Sequence, residues 1–131
     1  MKPDRGSDPA DRLGRMAEPS IFTRILQGDI PGEIVAETER VFAIKDISPQ
    51  APVHLLVIPK TQEYRDVAAL AAGDPSLLAE VIAVANDLAA THADGDFRVL
   101  FNTGAGAGQT VFHVHAHVLA GGLGEKSLVG G

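Results

Sequence analysis

Three histidines stand at alternate positions near the end of the chain, in the apolar run His113-Val114-His115-Ala116-His117-Val118-Leu119. In a β-strand, side chains at i, i+2 and i+4 project from the same face. The spacing therefore predicts a strand that carries three imidazoles along one wall. Imidazole has an unperturbed pKa of about 6.5, close to physiological pH, so such a wall suits proton transfer, nucleophilic attack or metal ligation.

The composition is that of a soluble globular protein. With 131 residues, of which 45% are hydrophobic and 21% charged, the chain is long enough for one domain with a continuous core. It has no cysteine, which excludes disulfides and thiolate metal sites and favours a cytoplasmic location. The net charge of -6 argues against a nucleic-acid partner. A nucleotide remains possible, because backbone N–H groups can bind a phosphate without a basic patch.

The two ends of the chain differ from its middle. Residues 1–19 mix charged residues with proline and glycine, and we expect a disordered extension in which Met16 is an alternative start. These residues lack the apolar stretch of a signal peptide or membrane helix, so no membrane association is expected. We expect the domain over 20–122 and a tail over 123–131.

The first half of the domain predicts one short helix over residues 20–27 and three strands over 33–38, 40–45 and 53–58. Ser20 can cap the helix and Gly28 ends it. The second and third segments are close enough to form an antiparallel hairpin. The last segment is nearly all apolar, as in a central strand covered on both faces, and Pro59 is expected to end it.

The second half continues with a short helix, a long helix and two more strands. We expect the short helix over 64–70 and the long helix from Asp74, which can cap it ahead of Pro75. The long helix should end over 91–95, with His92 at the surface, and a strand should follow over 97–102. The apolar stripe of the long helix comprises Leu77, Leu78, Val81, Ile82, Ala85, Leu88 and Ala89. The fold class is α+β with a mainly antiparallel sheet.

Metal ligation is one interpretation of the histidine run. It needs about three neutral imidazoles converging on one point, and two histidines at alternate positions can supply two of them. The third residue of the run lies roughly 7 Å from the first, so one ion cannot easily bind all three. His54 could serve as a remote ligand, but no Cys, Asp or Glu neighbours the strand in sequence.

Phosphoryl or nucleotidyl transfer fits the neighbourhood of the run better. The central imidazole can attack phosphorus to give a covalent phosphohistidine that water later cleaves, while its neighbours orient it and neutralise charge. The preceding loop resembles an anion-binding turn in composition. Its glycines free the backbone N–H groups, and its polar side chains add donors: Asn102, Gly104, Gly106, Gly108, Gln109 and Thr110.

Two separate segments resemble one known family. The run from His113 to Leu119 is similar to the signature of the histidine triad (HIT) superfamily: three alternating histidines followed by two apolar residues. The segment Asp46-Ile47-Ser48-Pro49-Gln50-Ala51-Pro52-Val53-His54-Leu55-Leu56-Val57-Ile58-Pro59-Lys60 resembles the Hint branch, the purine nucleoside phosphoramidases. The similarity runs from about residue 21 to residue 122.

The resemblance implies a fold, a reaction and a partner. The fold would be a five-stranded, mainly antiparallel sheet with one long and one or two short helices, continued across a homodimer. The reaction would cleave the bond from the α-phosphorus of a purine nucleoside phosphoramidate, or a similar nucleotide conjugate, through a nucleotidyl-histidine, and release the nucleoside monophosphate. No cofactor or metal is expected. The alternatives are a dinucleoside polyphosphate hydrolase of the same superfamily and a nucleotide-binding regulatory protein with vestigial catalysis.

The resemblance also assigns residue roles. His115 matches the nucleophile, His113 the residue that orients it with His54 supporting behind, and His117 the residue on the phosphate and leaving-group side. Asp46 matches the carboxylate that binds the ribose hydroxyls, with two acceptor oxygens suited to them. The expected phosphate and leaving-group contacts are Asn102, Gly108, Gln109 and Thr110. The expected apolar walls around the base are Phe22, Ile25, Phe42 and Ile47.

The chain departs from the family pattern in its tail. Animal members of the Hint branch end in a tail with Trp that reaches the partner subunit's site, whereas this chain has no Trp. Substrate preference therefore does not follow from the resemblance. Phe112 replaces a frequent Tyr, which removes a hydroxyl.

Overall fold

The computed structural model describes residues 18–124. The expected extension up to residue 17 and the tail from residue 125 lie outside the described residues. The elements, in chain order, are α1 (Ile21–Leu26), β1 (Ile34–Glu37), β2 (Val41–Lys45), β3 (Val53–Pro59), α2 (Val67–Gly73), α3 (Pro75–His92), β4 (Arg98–Leu100), a 3-10 turn (Ala105–Ala107) and β5 (Ala116–Ala120).

The five strands form one sheet in the order β1-β2-β3-β5-β4. Every neighbouring pair is antiparallel, and β3 pairs with β5 in a register that sets Leu56 opposite His117. The α+β class and the five-stranded antiparallel sheet with one long helix are thus confirmed. Between β1 and β2 the predicted hairpin forms, with an irregularity between Ile34 and Ala36.

The sheet separates two apolar clusters. On one face, α3 packs its buried residues against β2, β3 and β5, with Leu55, Val57 and Val118 at the centre. On the other face, Phe22 of α1 covers a smaller cluster on β2 and β3. The histidines lie on the side of α1, because His54 and His117 alternate with residues that face α3. Among residues 18–124, no helix is long and apolar enough to cross a membrane.

The helix starts follow the predicted capping chemistry. The Ser20 hydroxyl accepts a hydrogen bond from the Thr23 N–H at 3.2 Å, and the Asp74 carboxylate accepts one from the Leu77 N–H at 3.0 Å, with Pro75 in the first turn of α3. The prediction of α2 over 64–70 is wrong by three residues. Asp66 caps that helix by accepting from the Ala69 N–H at 2.9 Å, so the helix begins only at Val67.

The predicted apolar stripe of α3 is too broad. Ile82 is 37% exposed and Leu78 is only partly buried against the core, because the sheet covers the narrower stripe of Leu77, Val81, Ala85, Leu88 and Ala89. The helix ends at His92, within the predicted range of 91–95. His92 is exposed at its last position, as predicted.

Candidate active site

The three histidines do not share one strand, so that prediction is wrong. The strand β5 begins only at Ala116, and His113 and His115 lie on the segment before it. Pro59, at the end of the partner strand β3, has no N–H, and its carbonyl accepts instead from Nε2 of His113 at 2.7 Å. The segment before Ala116 is held by bonds outside the sheet, such as that from the Val114 N–H to the Tyr64 carbonyl at 3.0 Å.

The imidazoles nevertheless form a continuous row. The His115 and His117 ring centroids are 5.2 Å apart, and the ring of Phe22 packs edge-on against His115 at 4.8 Å and His113 at 5.8 Å. On the far side of His117, the His54 centroid follows at 5.2 Å. All four histidines are at least nine-tenths buried. Close packing of four titratable rings in an apolar setting is costly unless each is held by specific partners.

His115 is held by a backbone carbonyl. Its Nδ1 donates to the carbonyl oxygen of His113 at 2.8 Å. In a neutral imidazole one nitrogen carries the proton and the other a lone pair, so this bond leaves Nε2 with the lone pair. Burial lowers the pKa of His115, an effect that the bond to His113 and the charge of Asp46 partly oppose. His115 therefore presents an unprotonated nitrogen, which is the state a nucleophile requires.

Both ring nitrogens of His113 are bonded within the protein. Because Nε2 donates to the Pro59 carbonyl, Nδ1 must accept, and the Ser20 hydroxyl donates to it at 2.6 Å. Burial, first of all, lowers the pKa of this ring as well. The contact that orients His115 therefore comes from the His113 carbonyl, while the ring anchors that carbonyl to α1 and β3.

His54 contacts His117, not His113. The resemblance implied a support behind His113, but Nε2 of His54 lies 3.0 Å from Nδ1 of His117. The other nitrogen of His54, Nδ1, accepts from the Gln50 N–H at 3.0 Å. The pairing follows from the sheet register, which puts β3 and β5 side by side with these two residues near one another on the same face.

One nitrogen of His117 is buried without a partner among the described residues. Among the buried side-chain nitrogens and oxygens of residues 18–124, its Nε2 is the atom without a hydrogen-bond partner. Burial, reinforced by the neighbouring His115 and His54 rings, lowers the pKa of His117 to about 4. The ring is therefore neutral near pH 7, and a buried polar atom without a partner in this part of the protein marks the nitrogen as a candidate ligand contact.

Asp46, which the Hint-like segment brought into the candidate site, also contacts the histidines; local spacing could not show this contact because the residue follows a different strand. Its Oδ2 lies 3.4 Å from Nε2 of His54, and its Oδ1 accepts from the Ser48 N–H at 2.7 Å. Burial lowers the pKa of His54, and the charge of Asp46 opposes that shift. Asp46 keeps only part of its surface in contact with solvent, with 17% of its side chain exposed.

Asp46, His54 and His117 are close enough to suggest a metal site. Their ligand atoms lie within 4.8 Å of one another. The donor chemistry does not fit, however. The Gln50 N–H occupies Nδ1 of His54, so the neutral ring carries its proton on Nε2, the atom that would face the ion. A metal ligand must offer a lone pair at that position.

The glycine-rich loop is bonded to itself. Gly104 and Gly108 have φ angles of +90° and +98°, which favour glycine. The N–H groups of Ala107 and Gln109 donate to the Gly104 carbonyl, and that of Gly108 to the Ala105 carbonyl. These N–H groups are therefore not free for an anion, contrary to the expectation from composition.

Gln109 holds this loop in place. Its Oε1 accepts from the Gly104 N–H at 2.8 Å, and its Nε2 donates to the carbonyls of Arg65 at 2.6 Å and Val111 at 3.0 Å. The side chain is buried with all of these contacts made inside the protein. The structure thus places the expected phosphate contact Gln109 in a supporting position, while Thr110 is exposed and Asn102 is partly buried.

An open cavity of about 500 Å³ adjoins the loop. Thr110 and His113 line it on one side, Ile21 and Glu18 on the other. Phe112 also lines it, 44% exposed, with the Arg65 guanidinium 4.7 Å from the centre of its ring. A molecule in this cavity would meet apolar surface and a carboxylate.

The four residues expected around the base differ in exposure. Phe42 is fully buried and Phe22 is 6% exposed, so both belong to the core. Ile25 is partly buried against the same cluster. Ile47 is 91% exposed directly beside Asp46. Of the four, Ile47 is the side chain with free surface to offer a ligand.

Comparison with known proteins places the chain in a family. The model of the HIT domain matches residues 27–122. An uncharacterized HIT-like protein of Synechocystis is 45% identical over 107 residues, which cover 81% of this chain and 93% of that protein. The purine nucleoside phosphoramidase of Escherichia coli K12 is 39% identical over 108 residues, covering 81% of this chain and 90% of that enzyme.

Solved structures agree. A HIT family hydrolase from Clostridium thermocellum matches with a TM-score of 0.78 and 40% identity, covering 85% of this chain and 98% of the other. A HIT family hydrolase from Legionella pneumophila matches with a TM-score of 0.75 and 37% identity, over 83% of this chain and 97% of the other. The antiparallel sheet with its row of buried imidazoles defines a small hydrolase domain. The chain belongs to the HIT domain family.

Proposed function

We propose that this hydrolase cleaves purine nucleoside phosphoramidates at the α-phosphorus, with His115 as the nucleophile. The observation that carries the proposal is the 2.8 Å bond from Nδ1 of His115 to the His113 carbonyl, which leaves the lone pair on Nε2. The 39% identity to a protein named purine nucleoside phosphoramidase supports the substrate class.

The reaction has two displacements at phosphorus. Nε2 of His115 attacks the α-phosphorus, a nitrogen–phosphorus bond forms to the ring, and the bond to the amine breaks. The amine departs with one proton taken from solvent, and the second displacement returns one. The imidazolium that results is stabilised by its Nδ1–H bond to the His113 carbonyl. Water then attacks phosphorus, the bond to Nε2 breaks with its electron pair returning to the ring, and the water proton is released with the nucleoside monophosphate.

The surrounding residues suit the remaining parts of such a substrate. Nε2 of His117 has no partner in the described part of the protein and can bond a phosphate oxygen or the departing group. Asp46, with 17% of its side chain exposed, and its neighbour Ile47, 91% exposed, have surface that ribose hydroxyls and a base could contact. The resemblance assigns Thr110, Asn102 and Gly108 to the phosphate, and the cavity lined by Thr110 and His113 has room for the amine.

The test compares turnover with binding. We expect His115→Ala and His115→Gly to lower turnover of an adenosine phosphoramidate at least about a thousandfold, since removal of a nucleophile leaves only residual catalysis. AMP should still bind, because the pocket is otherwise intact. His92→Ala, which removes an exposed histidine at the end of α3, is the matched control and should keep full activity.

The same assay separates the alternatives. Faster turnover of a diadenosine polyphosphate than of the phosphoramidate would favour a dinucleoside polyphosphate hydrolase. Tight AMP binding without turnover of either substrate would favour a regulatory nucleotide-binding protein. Full activity of His115→Ala would refute the mechanism.

We also propose that the chain forms a homodimer through a continuous sheet. The strand β4 is at the edge of the sheet and pairs on one side with β5, so its other side can pair with a second copy. Light scattering should give about twice the 13.7 kDa of one chain. A mass of one chain at micromolar concentration would contradict the dimer.

A further inference from the structure

We propose that the main-chain N–H of Gln50 fixes the proton position of His117 through His54, so that His117 meets the substrate as a neutral hydrogen-bond donor that keeps its proton. The catalytic consequence rests on the proposed function. The proton positions themselves are properties of the free protein and can be measured without substrate.

The first link is the contact of Gln50 with His54. A backbone N–H can only donate, so Nδ1 of His54, 3.0 Å away, must accept with its lone pair. A neutral His54 then carries its proton on Nε2. The turn that holds the Gln50 N–H is fixed on both sides: the Asp46 carboxylate accepts from the Ser48 N–H, and the Gln50 side chain donates to the Ser48 carbonyl at 3.1 Å.

A second, independent contact gives the same proton position. Nε2 of His54 faces Oδ2 of Asp46 at 3.4 Å, and a carboxylate can only accept. The N–H donor on one side of the ring and the acceptor on the other therefore favour one tautomer. Protonation of both nitrogens is opposed as well, because a proton on Nδ1 would point at the Gln50 N–H.

The second link is the contact of His54 with His117. The Nε2–H of His54 points toward Nδ1 of His117 at 3.0 Å, so Nδ1 of His117 must accept. The proton of a neutral His117 is then on Nε2. This is the same buried nitrogen that lacks a partner in the protein. The lowered pKa of His117 agrees with a neutral ring near pH 7.

The chemical consequence is a donor that is set before the substrate arrives. A preorganised donor stabilises developing charge without the cost of reorienting in the transition state. If His117 gave its Nε2 proton away while Nδ1 still accepted from His54, the ring would become an imidazolate. His117 therefore bonds the phosphate or departing group and retains its proton. The departing amine takes one proton from solvent, and the water that attacks in the second displacement returns one proton to solvent.

The direct test is the tautomer of each ring in the substrate-free protein. Long-range proton–nitrogen NMR spectra of protein labelled with 15N-histidine distinguish protonated from unprotonated ring nitrogens. Single substitutions assign the five histidines. We expect His54 and His117 both to be neutral near pH 7, with Nε2 protonated and Nδ1 unprotonated. A proton on Nδ1 of His117, or a doubly protonated His54, would overturn the proposal.

A pair of variants tests the link between the two rings. His54→Gln keeps an N–H donor for His117, whereas His54→Leu keeps the bulk without it. We expect His54→Gln to retain the Nε2–H form of His117 and to lose less kcat than His54→Leu, because an N–H donor still faces Nδ1 of His117. We expect His54→Leu to let His117 adopt both neutral tautomers. The kcat should then fall about tenfold to a hundredfold, because a misdirected donor loses part of its effect. Equal loss of kcat in both variants, with an unchanged His117 tautomer, would contradict the link.

The tautomer measurement remains decisive if a variant does not fold or if the proposed reaction is absent. If His54→Leu does not fold, the spectrum of the unmodified protein still gives the tautomers. If the proposed reaction is absent, the same spectrum still shows whether His54 and His117 have the expected tautomers. Zinc titration adds a contrast: a Zn²⁺-dependent shift of the His54 and His117 nitrogens at equimolar metal would mean that Nε2 of His54 offers a lone pair, against the proposal.

Discussion

At the scale of the residue, the proton positions of three of the four buried histidines each follow from one contact to the backbone, and that of His117 follows from His54. The His113 carbonyl assigns Nδ1–H to His115, the Pro59 carbonyl assigns Nε2–H to His113, and the Gln50 N–H assigns Nε2–H to His54. Main-chain groups cannot exchange donor for acceptor, so they fix tautomers more firmly than side chains can. The site is thereby ordered before any ligand binds.

The sequence identified the histidines but not these partners. Alternation of imidazoles indicated a cluster, and the Hint-like segment brought in His54 and Asp46. Nothing in local spacing could show that Ser20 bonds His113 across 93 positions, or that His54 bonds His117 across 63. Such contacts depend on sheet register and on where α1 crosses the sheet. Residue types at a site are readable from sequence, whereas their hydrogen-bond partners require the fold.

Exposure separates Ile47 from Phe42, two of the four candidate base-contacting residues. We expect Ile47→Ser to leave the free energy of unfolding within about 0.5 kcal/mol of the original value, because the side chain is 91% exposed, and to raise the KM for an adenosine phosphoramidate several-fold. Urea unfolding and steady-state kinetics measure the two effects.

Phe42→Ala is the matched contrast. It should lower the free energy of unfolding by about 3–5 kcal/mol, since it empties a fully buried position on β2. A large loss of stability in Ile47→Ser, or an unchanged KM, would show that Ile47 does not meet the base.

At the scale of the element, the glycine-rich loop works through its backbone angles and the Gln109 side chain. The left-handed φ of Gly104 turns the chain so that the Gln109 amide can span from the loop to the Arg65 carbonyl. The loop thereby delivers Thr110 to the cavity edge and leads into the segment of His113. Its glycines shape the turn, and the N–H groups of Gly104, Ala107, Gly108 and Gln109 donate to acceptors within the loop.

Two glycines of this loop make a matched pair. An added Cβ meets no atom within 4 Å at either Gly104 or Gly106, but only Gly104 has a positive φ. We expect Gly104→Ala to lower the free energy of unfolding by about 1–3 kcal/mol through backbone strain alone. Gly106→Ala should be neutral or slightly stabilising. Equal effects of the two substitutions, measured by urea unfolding, would contradict the role assigned to the backbone angle.

Element boundaries were predictable where a cap defines them. Ser20 and the Asp74-Pro75 pair set the starts of α1 and α3 as the sequence indicates. The start of β5 was not predictable, because an alternating pattern does not show where the neighbouring strand stops supplying partners. Pro59 ends that supply on β3, so the pattern from residue 113 continues for three residues before the strand begins.

At the scale of the whole molecule, the fold was the most predictable feature. Hairpin spacing, one apolar central strand and one long amphipathic helix restrict the chain to a layered α+β domain. The price of the site within that domain is four buried histidines that must stay neutral. For each of the four, burial is the main cause that lowers the pKa.

This burial makes stability depend on pH. The pKa of His117 falls from 6.5 to about 4 on folding, so the unfolded chain binds the proton first as the pH drops. The free energy of unfolding is therefore unaffected by the titration of His117 above pH 6.5 and falls between pH 6.5 and pH 4, by roughly 3 kcal/mol in total. The other three histidines act in the same direction.

Urea unfolding at intervals from pH 7.5 to 5 measures this dependence. We expect the free energy of unfolding to fall continuously over that range, and His117→Asn to show a shallower slope because one titrating group is gone. A flat profile, or an unchanged slope in His117→Asn, would mean that these rings take up protons as readily in the folded protein as in the unfolded chain.

The most direct test of covalent catalysis is the intact mass of the enzyme during turnover. Protein mixed with an adenosine phosphoramidate, quenched under alkaline conditions and analysed by mass spectrometry should carry one adenosine monophosphate, located on His115 by peptide fragmentation. His115→Ala should carry none, and His92→Ala should carry the same adduct as the original protein. Turnover with no adduct at any quench time, or an adduct that persists in His115→Ala, would contradict His115 as the nucleophile.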